Sequence, residues 1–73
     1  MKNKVRALRT ERGWTQEELG LELGVSRQAV NAIETEKHDP SLSLAFRIAA
    51  LFGEGVESVF ENPYRSSKRR DLR

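Results

Sequence analysis

The sequence predicts an all-α fold, a compact bundle of five short helices followed by a flexible basic C-terminal tail. Apolar residues recur at spacings of three and four from Val5 to Phe60, whereas the strict alternation of a half-buried strand is nearly absent. Gly13, Gly24, Pro40 and Gly53 interrupt that pattern at helix-length intervals. Thr15 and Ser26 stand directly before two of the apolar blocks, where helix caps belong.

The first helix runs from about Lys4 to Arg12, with Val5 and Leu8 facing inward and Gly13 supplying a left-handed stop. The second has the clearest start in the chain. Thr15 and Glu18 have capping-box spacing, and the flanking Trp14 and Leu19 sit where a hydrophobic staple closes. Leu19 and Leu23 point inward and Gly24 ends the helix. After Val25, Ser26 caps a third helix that runs to about Thr35, with Ala29, Val30 and Ile33 on its buried side. Two short helices so closely joined must cross at a steep angle.

Lys37-His38-Asp39-Pro40-Ser41 is a turn, because Pro40 forbids continuation and Asp and Ser favour bonds to the local backbone. The fourth helix follows from about Leu42 to Phe52, its inward side drawn from Leu44, Ala45, Ile48, Ala49 and Phe52, and Gly53 closes it. A last short helix near Val56 to Phe60 precedes Asn62-Pro63. One domain therefore occupies residues 1–62, and residues 63–73 have the Ser, Lys and Arg content of a disordered segment.

A chain of 73 residues buries a small core that commonly leans on disulfides, metal or a partner subunit. The absence of cysteine excludes disulfides and thiolate metal sites and fits a reducing cytoplasm. The lone His38 has no second ligand near it, so no metal or other cofactor is expected. Association with a second copy is the remaining staple. No apolar run approaches the ~20 residues of a membrane span, and no signal-peptide core follows Met1, so the expectation is a cytoplasmic protein without a membrane partner.

The net charge is +2, but its distribution matters more. Up to Phe60 eight basic residues face nine acidic ones, a net of −1, whereas from Glu61 onward five basic residues face two acidic, a net of +3. Composition therefore gives no argument for nucleic acid in the folded part. No carboxylate pair, nucleophile–base set, phosphate loop or metal cluster can be assembled, which argues against an enzyme. Nor does any segment suggest a small-molecule effector.

The informative block is Trp14-Thr15-Gln16-Glu17-Glu18-Leu19-Gly20, then Leu23-Gly24-Val25-Ser26-Arg27-Gln28-Ala29-Val30, ending in Ile33-Glu34. It resembles the DNA-binding domain of the Cro/C1-type (XRE) helix-turn-helix family, especially its short stand-alone bacterial regulators. Asp39-Pro40-Ser41-Leu42, Leu44-Ala45-Phe46 and Val59-Phe60 extend the resemblance over about four fifths of the chain. It implies a lambda-repressor-like fold that binds a double-stranded DNA operator and regulates transcription, with repression the expected sign.

The residues agree with that implication on physical grounds. In a helix-turn-helix the second helix offers its N-terminal residues and one side to base edges while the other side holds to the core. Arg27, Gln28 and Asn31 fall on one side of the third helix, and Val30 and Ile33 on another. Arg suits the two acceptors of guanine and Gln the acceptor–donor edge of adenine, each bidentate pair giving roughly 1–3 kcal/mol of discrimination. These three are the expected base readers.

Gln16, at the positive end of the second helix, is the expected phosphate clamp on one side. In the resembled family the matching glutamine contacts backbone, as do residues in the turn after the reading helix, here Lys37, His38 and Ser41. Ser26 joins that backbone set. Asp39 lies in the same turn, where its carboxylate is expected to bond local backbone rather than face phosphate.

Arg9 and Glu34 match a partly buried salt bridge of the resembled family, and Trp14 is expected to plug the core. The chain also departs from the family pattern. Gly20 replaces a usual alanine and should weaken the second helix by roughly 1 kcal/mol. Leu21 occupies a usually charged, exposed position, and Glu54-Gly55 removes the side-chain cap of the last helix.

One module with three readers is small for selective binding, so a homodimer on an inverted repeat is expected, with half-sites about 34 Å apart. Val56, Val59 and Phe60, with Phe46 or Leu51 behind them, are the apolar residues assigned to that interface. The rival reading is an antitoxin-like protein-interaction module with secondary DNA binding, supported by Leu21 and the near-neutral folded part. The basic tail is assigned no site.

Overall fold

The computed structural model describes residues 1–64. The tail from residue 65 lies outside the described residues. Five helices follow in order, α1 (Val5–Glu11), α2 (Gln16–Leu23), α3 (Arg27–Glu34), α4 (Leu42–Phe52) and α5 (Val56–Val59). No strand occurs among the described residues, and no helix there is long and apolar enough to cross a membrane.

The starts of the three middle helices follow from side chains that relieve the unpaired amides of a helix N-terminus. Thr15 Oγ1 accepts from Glu18 N at 3.0 Å while Thr15 N donates to Glu18 Oε1 at 2.8 Å, the reciprocal capping box. Ser26 and Ser41 each accept from the amide three residues on, Ala29 and Leu44, at 3.1 Å. Helix α5 begins at Gly55 with no side-chain cap, as the Glu54-Gly55 step implies.

The ends of α1, α3 and α4 share one geometry. In each a residue in the left-handed region donates back to form a five-to-two bond, and the residue after it closes a six-to-one bond. Gly13 and Gly53 fill the left-handed position after α1 and α4, at φ 73° and 70°. After α3 that position is Glu36, at φ 66°, with Glu36 N donating to Ile33 O and Lys37 N to Ala32 O. Nothing in the apolar pattern announces this residue. It carries the strain of a side chain where glycine is at ease.

Every helix contributes one of the five largest fully buried side chains: Val5, Leu19, Val30, Ile48 and Val59. Burying each is worth about 1.5–3 kcal/mol. Trp14 plugs the edge of this core, its ring 5.9 Å from that of Phe52, with the Arg12 guanidinium near both rings. Arg12 also donates to the carbonyls of Leu51 and Phe52, tying α1 to the end of α4. Arg47 likewise donates to the Leu23 carbonyl, tying α4 to the end of α2.

The chain ends are joined in a way the periodicity does not show. Asn3 and Phe60 form an isolated antiparallel bridge, with Lys4 N donating to Val59 O and Glu61 N to Lys2 O, both at 2.8 Å. Asn3 Nδ2 donates to Ile33 O at 2.9 Å and Asn3 Oδ1 accepts from Val5 N at 3.1 Å, so this side chain links α1 to the end of α3.

This closure corrects the expected dimer surface. Val59 and Phe60 are only 1% and 4% exposed, because the core and the bridge to Asn3 consume them, and Val56 is half-buried against the same core. Val59 and Phe60 are thus core residues of one protomer, whereas Val56 keeps part of its surface open.

Candidate nucleic-acid interface

Helix α3 is divided as a reading helix requires. Val30 and Ile33 are buried, at 1% and 3% exposure, while Arg27, Gln28 and Asn31 are exposed. Its N-terminus is held by Ser26, whose hydroxyl accepts from Ala29 and keeps its own hydrogen to donate outward. Ala29, expected inward, is half-buried at the edge of this division.

Gly20 sets how closely α2 approaches the connection to α3. A Cβ on Gly20 would lie 2.6 Å from the Val25 carbonyl oxygen, and Val25 N donates to Gly20 O at 2.9 Å. The glycine is therefore more than a weakened helix position. Here it is the residue that lets the turn backbone sit against the helix.

A buried polar cluster fixes α3 against α1 and α2. Arg9 Nε and Nη2 grip the Glu34 carboxylate at 2.6 and 3.2 Å, and Arg9 Nη1 donates to Trp14 O at 2.7 Å. The Arg9 and Glu34 side chains are 10% and 1% exposed, and among the described residues no buried side-chain nitrogen or oxygen lacks a partner. Gln16 Nε2 completes the cluster by donating to Glu34 Oε1 at 3.0 Å.

That last bond bears on the phosphate clamp. One amide hydrogen of half-buried Gln16 is committed to Glu34, and the other remains to donate. The same bond places Gln16 beside the C-terminal end of α3, where Lys37 and His38 also lie. Gln16, Lys37 and His38 thus gather at one end of α3, with Arg27 and Gln28 at the other, about 12 Å away along an eight-residue helix.

Lys37 and His38 are exposed. Ser41 accepts from Leu44 N, so it serves as the cap of α4 with a hydroxyl hydrogen to spare. Asp39 departs from expectation: its Oδ1 accepts from the Met1 ammonium at 3.1 Å rather than from local backbone. The physical need is the same, since an unpaired carboxylate in this turn would repel phosphate. Leu21 is 77% exposed on α2, as its position in the periodicity implies.

Sequence reasoning missed Asn3, Arg12 and Arg47 as the tethers that hold these elements in place. The one legible signal was Arg47, the single charge within the otherwise uncharged segment Leu42 to Phe52.

Known proteins share the sequence pattern and the fold. A family profile described as helix-turn-helix matches residues 5–58. An HTH-type transcriptional regulator of Methanocaldococcus jannaschii is 53% identical over 60 residues, covering 82% of this chain and 91% of its own. The HTH-type transcriptional regulator YgzD of Bacillus subtilis is 50% identical over 60 residues, with 82% and 91% covered. The crystal structure of a hypothetical transcription factor, NHTF, from Neisseria aligns with a TM-score of 0.71 at 30% identity, over 96% of this chain and 77% of that one.

Proposed function

The chain belongs to the Cro/C1-type helix-turn-helix family of transcriptional regulators, and from that premise we propose that it represses transcription as a cytoplasmic homodimer on an inverted-repeat operator. Helix α3 enters the major groove, with Arg27, Gln28 and Asn31 on base edges. Gln16, Ser26, Lys37, His38 and Ser41 hold phosphates on either side and set the register.

The observation that carries this reading is the division of α3, three long or polar side chains exposed on a helix whose other side is locked into the core. The Glu34 cluster supports it by presenting Gln16 at the far end of the same helix. The antitoxin-like reading draws on exposed Leu21 and the near-neutral charge of the folded part.

Selection of bound sequences from a random duplex library tests the proposal. The expected product is a two-fold symmetric sequence whose binding collapses when Arg27 or Gln28 becomes Ala, with circular dichroism unchanged. Wild-type binding by both variants would show that another surface reads the DNA. Copurification of a heterologous protein through high salt, with no enriched duplex, would favour the rival.

A further inference from the structure

The charge of the chain is divided at the edge of the folded part. Residues 1–64 hold eight basic and ten acidic residues, a net of −2, whereas residues 65–73 hold five basic and one acidic, a net of +4. Five of the eight folded cations have partners or acids beside them. Arg9 grips Glu34, Arg12 and Arg47 donate to helix-end carbonyls, and Lys2 and Lys4 share a shallow hollow with Glu57 and Glu61. Arg6 is exposed on α1, a helix with no residue in the proposed interface. With Arg27 assigned to base edges, Lys37 is the one permanent cation in the proposed phosphate set.

The fold brings the start of the basic segment to that same end of the reading helix. Glu61 N donates to Lys2 O at 2.8 Å, and the adjoining Asn3 donates to the Ile33 carbonyl at 2.9 Å, so the closing segment lies near the C-terminal end of α3. Pro63 lines a hollow with Met1, Lys2, Glu36 and Glu61, and Glu36 directly precedes Lys37. Tyr64, the last described residue, is 90% exposed. The chain therefore leaves the folded part beside the turn that carries Lys37 and His38.

We propose that residues 65–73 are a second phosphate-binding element, in which Arg65, Lys68, Arg69, Arg70 and Arg73 neutralise DNA phosphates flanking the Lys37 contact. This rests on the DNA-reading proposal and adds to it the positive charge that the folded part lacks. Nine residues reach at most about 30 Å from Tyr64, enough to pass several phosphates of one strand, which follow at about 3.4 Å of axial rise. Glu36 and Glu61 are the acids beside the exit, and Asp71 lies within the segment; five cations outnumber all three. A duplex supplies far more, about one negative charge per 1.7 Å of its axis.

The test uses the full chain with all five cations replaced together, Arg65→Gln, Lys68→Gln, Arg69→Gln, Arg70→Gln and Arg73→Gln. Affinity is titrated over a salt series for the duplex selected by wild type and for a scrambled duplex. Both should weaken about tenfold or more at low salt, and the slope of log affinity against log salt should fall by about two to four, with circular dichroism and the preferred sequence unchanged. Changing the four arginines to Lys instead should keep the wild-type slope. Hydroxyl-radical footprinting should show protection lost next to the sugars that Lys37→Ala exposes. Wild-type affinity and slope in the glutamine variant would overturn the phosphate role and leave DNA reading by α3 standing. So would tighter binding by that variant, which would mean that the segment pairs with the protein's own acids, or protection lost elsewhere on the duplex. A wild type that binds no duplex even at low salt overturns the DNA reading itself.

Discussion

Replacing Glu34 by alanine strands the guanidinium of Arg9 inside the protein. The Arg9 side chain is 10% exposed, and in the wild type two of its nitrogens lie on the Glu34 carboxylate and a third on the Trp14 carbonyl. Removing the acid leaves only the carbonyl bond, with a full charge uncompensated, and removes the acceptor of Gln16. Breaking a buried pair in this one-sided way costs about 3–5 kcal/mol. A domain of this size has roughly 3–10 kcal/mol of stability in total, so the variant sits near its unfolding midpoint.

Urea unfolding reads the effect, followed by circular dichroism and by the fluorescence of Trp14, the single tryptophan. With a slope of about 1 kcal/mol per molar urea for so small a chain, the midpoint should fall by about 3 M or more. The double variant Arg9→Met with Glu34→Leu separates the pair's net worth from the cost of breaking it. Well-packed apolar replacements of a buried pair are often neutral, so the double variant should regain most of the loss. A single variant that loses less than about 1 kcal/mol would refute the reasoning, because it would mean that water reaches the guanidinium. A double variant no better than the single one would show that the cluster specifies the fold beyond its charges.

Glu36→Gly should raise stability by about 0.5–1 kcal/mol, the left-handed strain relieved less the added freedom of the unfolded chain, and a melting temperature raised by a few degrees checks it. Gly20→Ala should lower stability by up to about 2 kcal/mol in urea unfolding, because the cost of forcing a Cβ against the Val25 carbonyl outweighs the gain in helix propensity. Lys37→Ala should weaken binding to all duplexes alike and reduce the slope of affinity against salt by about one in a titration, whereas a base reader would change the preferred sequence instead.

The elements were legible because each start and stop has a local cause: the Thr15–Glu18 box, the serine at 26, and the glycines at 13, 24 and 53 act through bonds within a few residues. The pair Arg9–Glu34 was legible only through family resemblance, since nothing local joins residues 25 apart. What escaped was long-range or degenerate. Asn3 pairs across the length of the chain with Phe60, and no periodic signal marks an isolated bridge. Glu36 adopts a glycine conformation because Ala32 and Ile33 need donors, a demand of the helix end rather than of the residue.

Val59 and Phe60 were misassigned to the dimer surface for a more general reason. Periodicity reveals that a residue is apolar, but not which of two available apolar faces the protomer itself consumes. Val59 and Phe60 looked surplus to a closing helix until the N-terminal segment was seen to lie over them. Phe46, expected behind that surface, is instead exposed on α4 one turn from exposed Leu42. The distinction matters for DNA reading because the folded part is slightly acidic and gains little from non-specific attraction. On the proposed reading, with three base readers per copy, selectivity depends on joining two copies in a fixed relation. The residues that set this relation deserve the same scrutiny as Arg27 and Gln28.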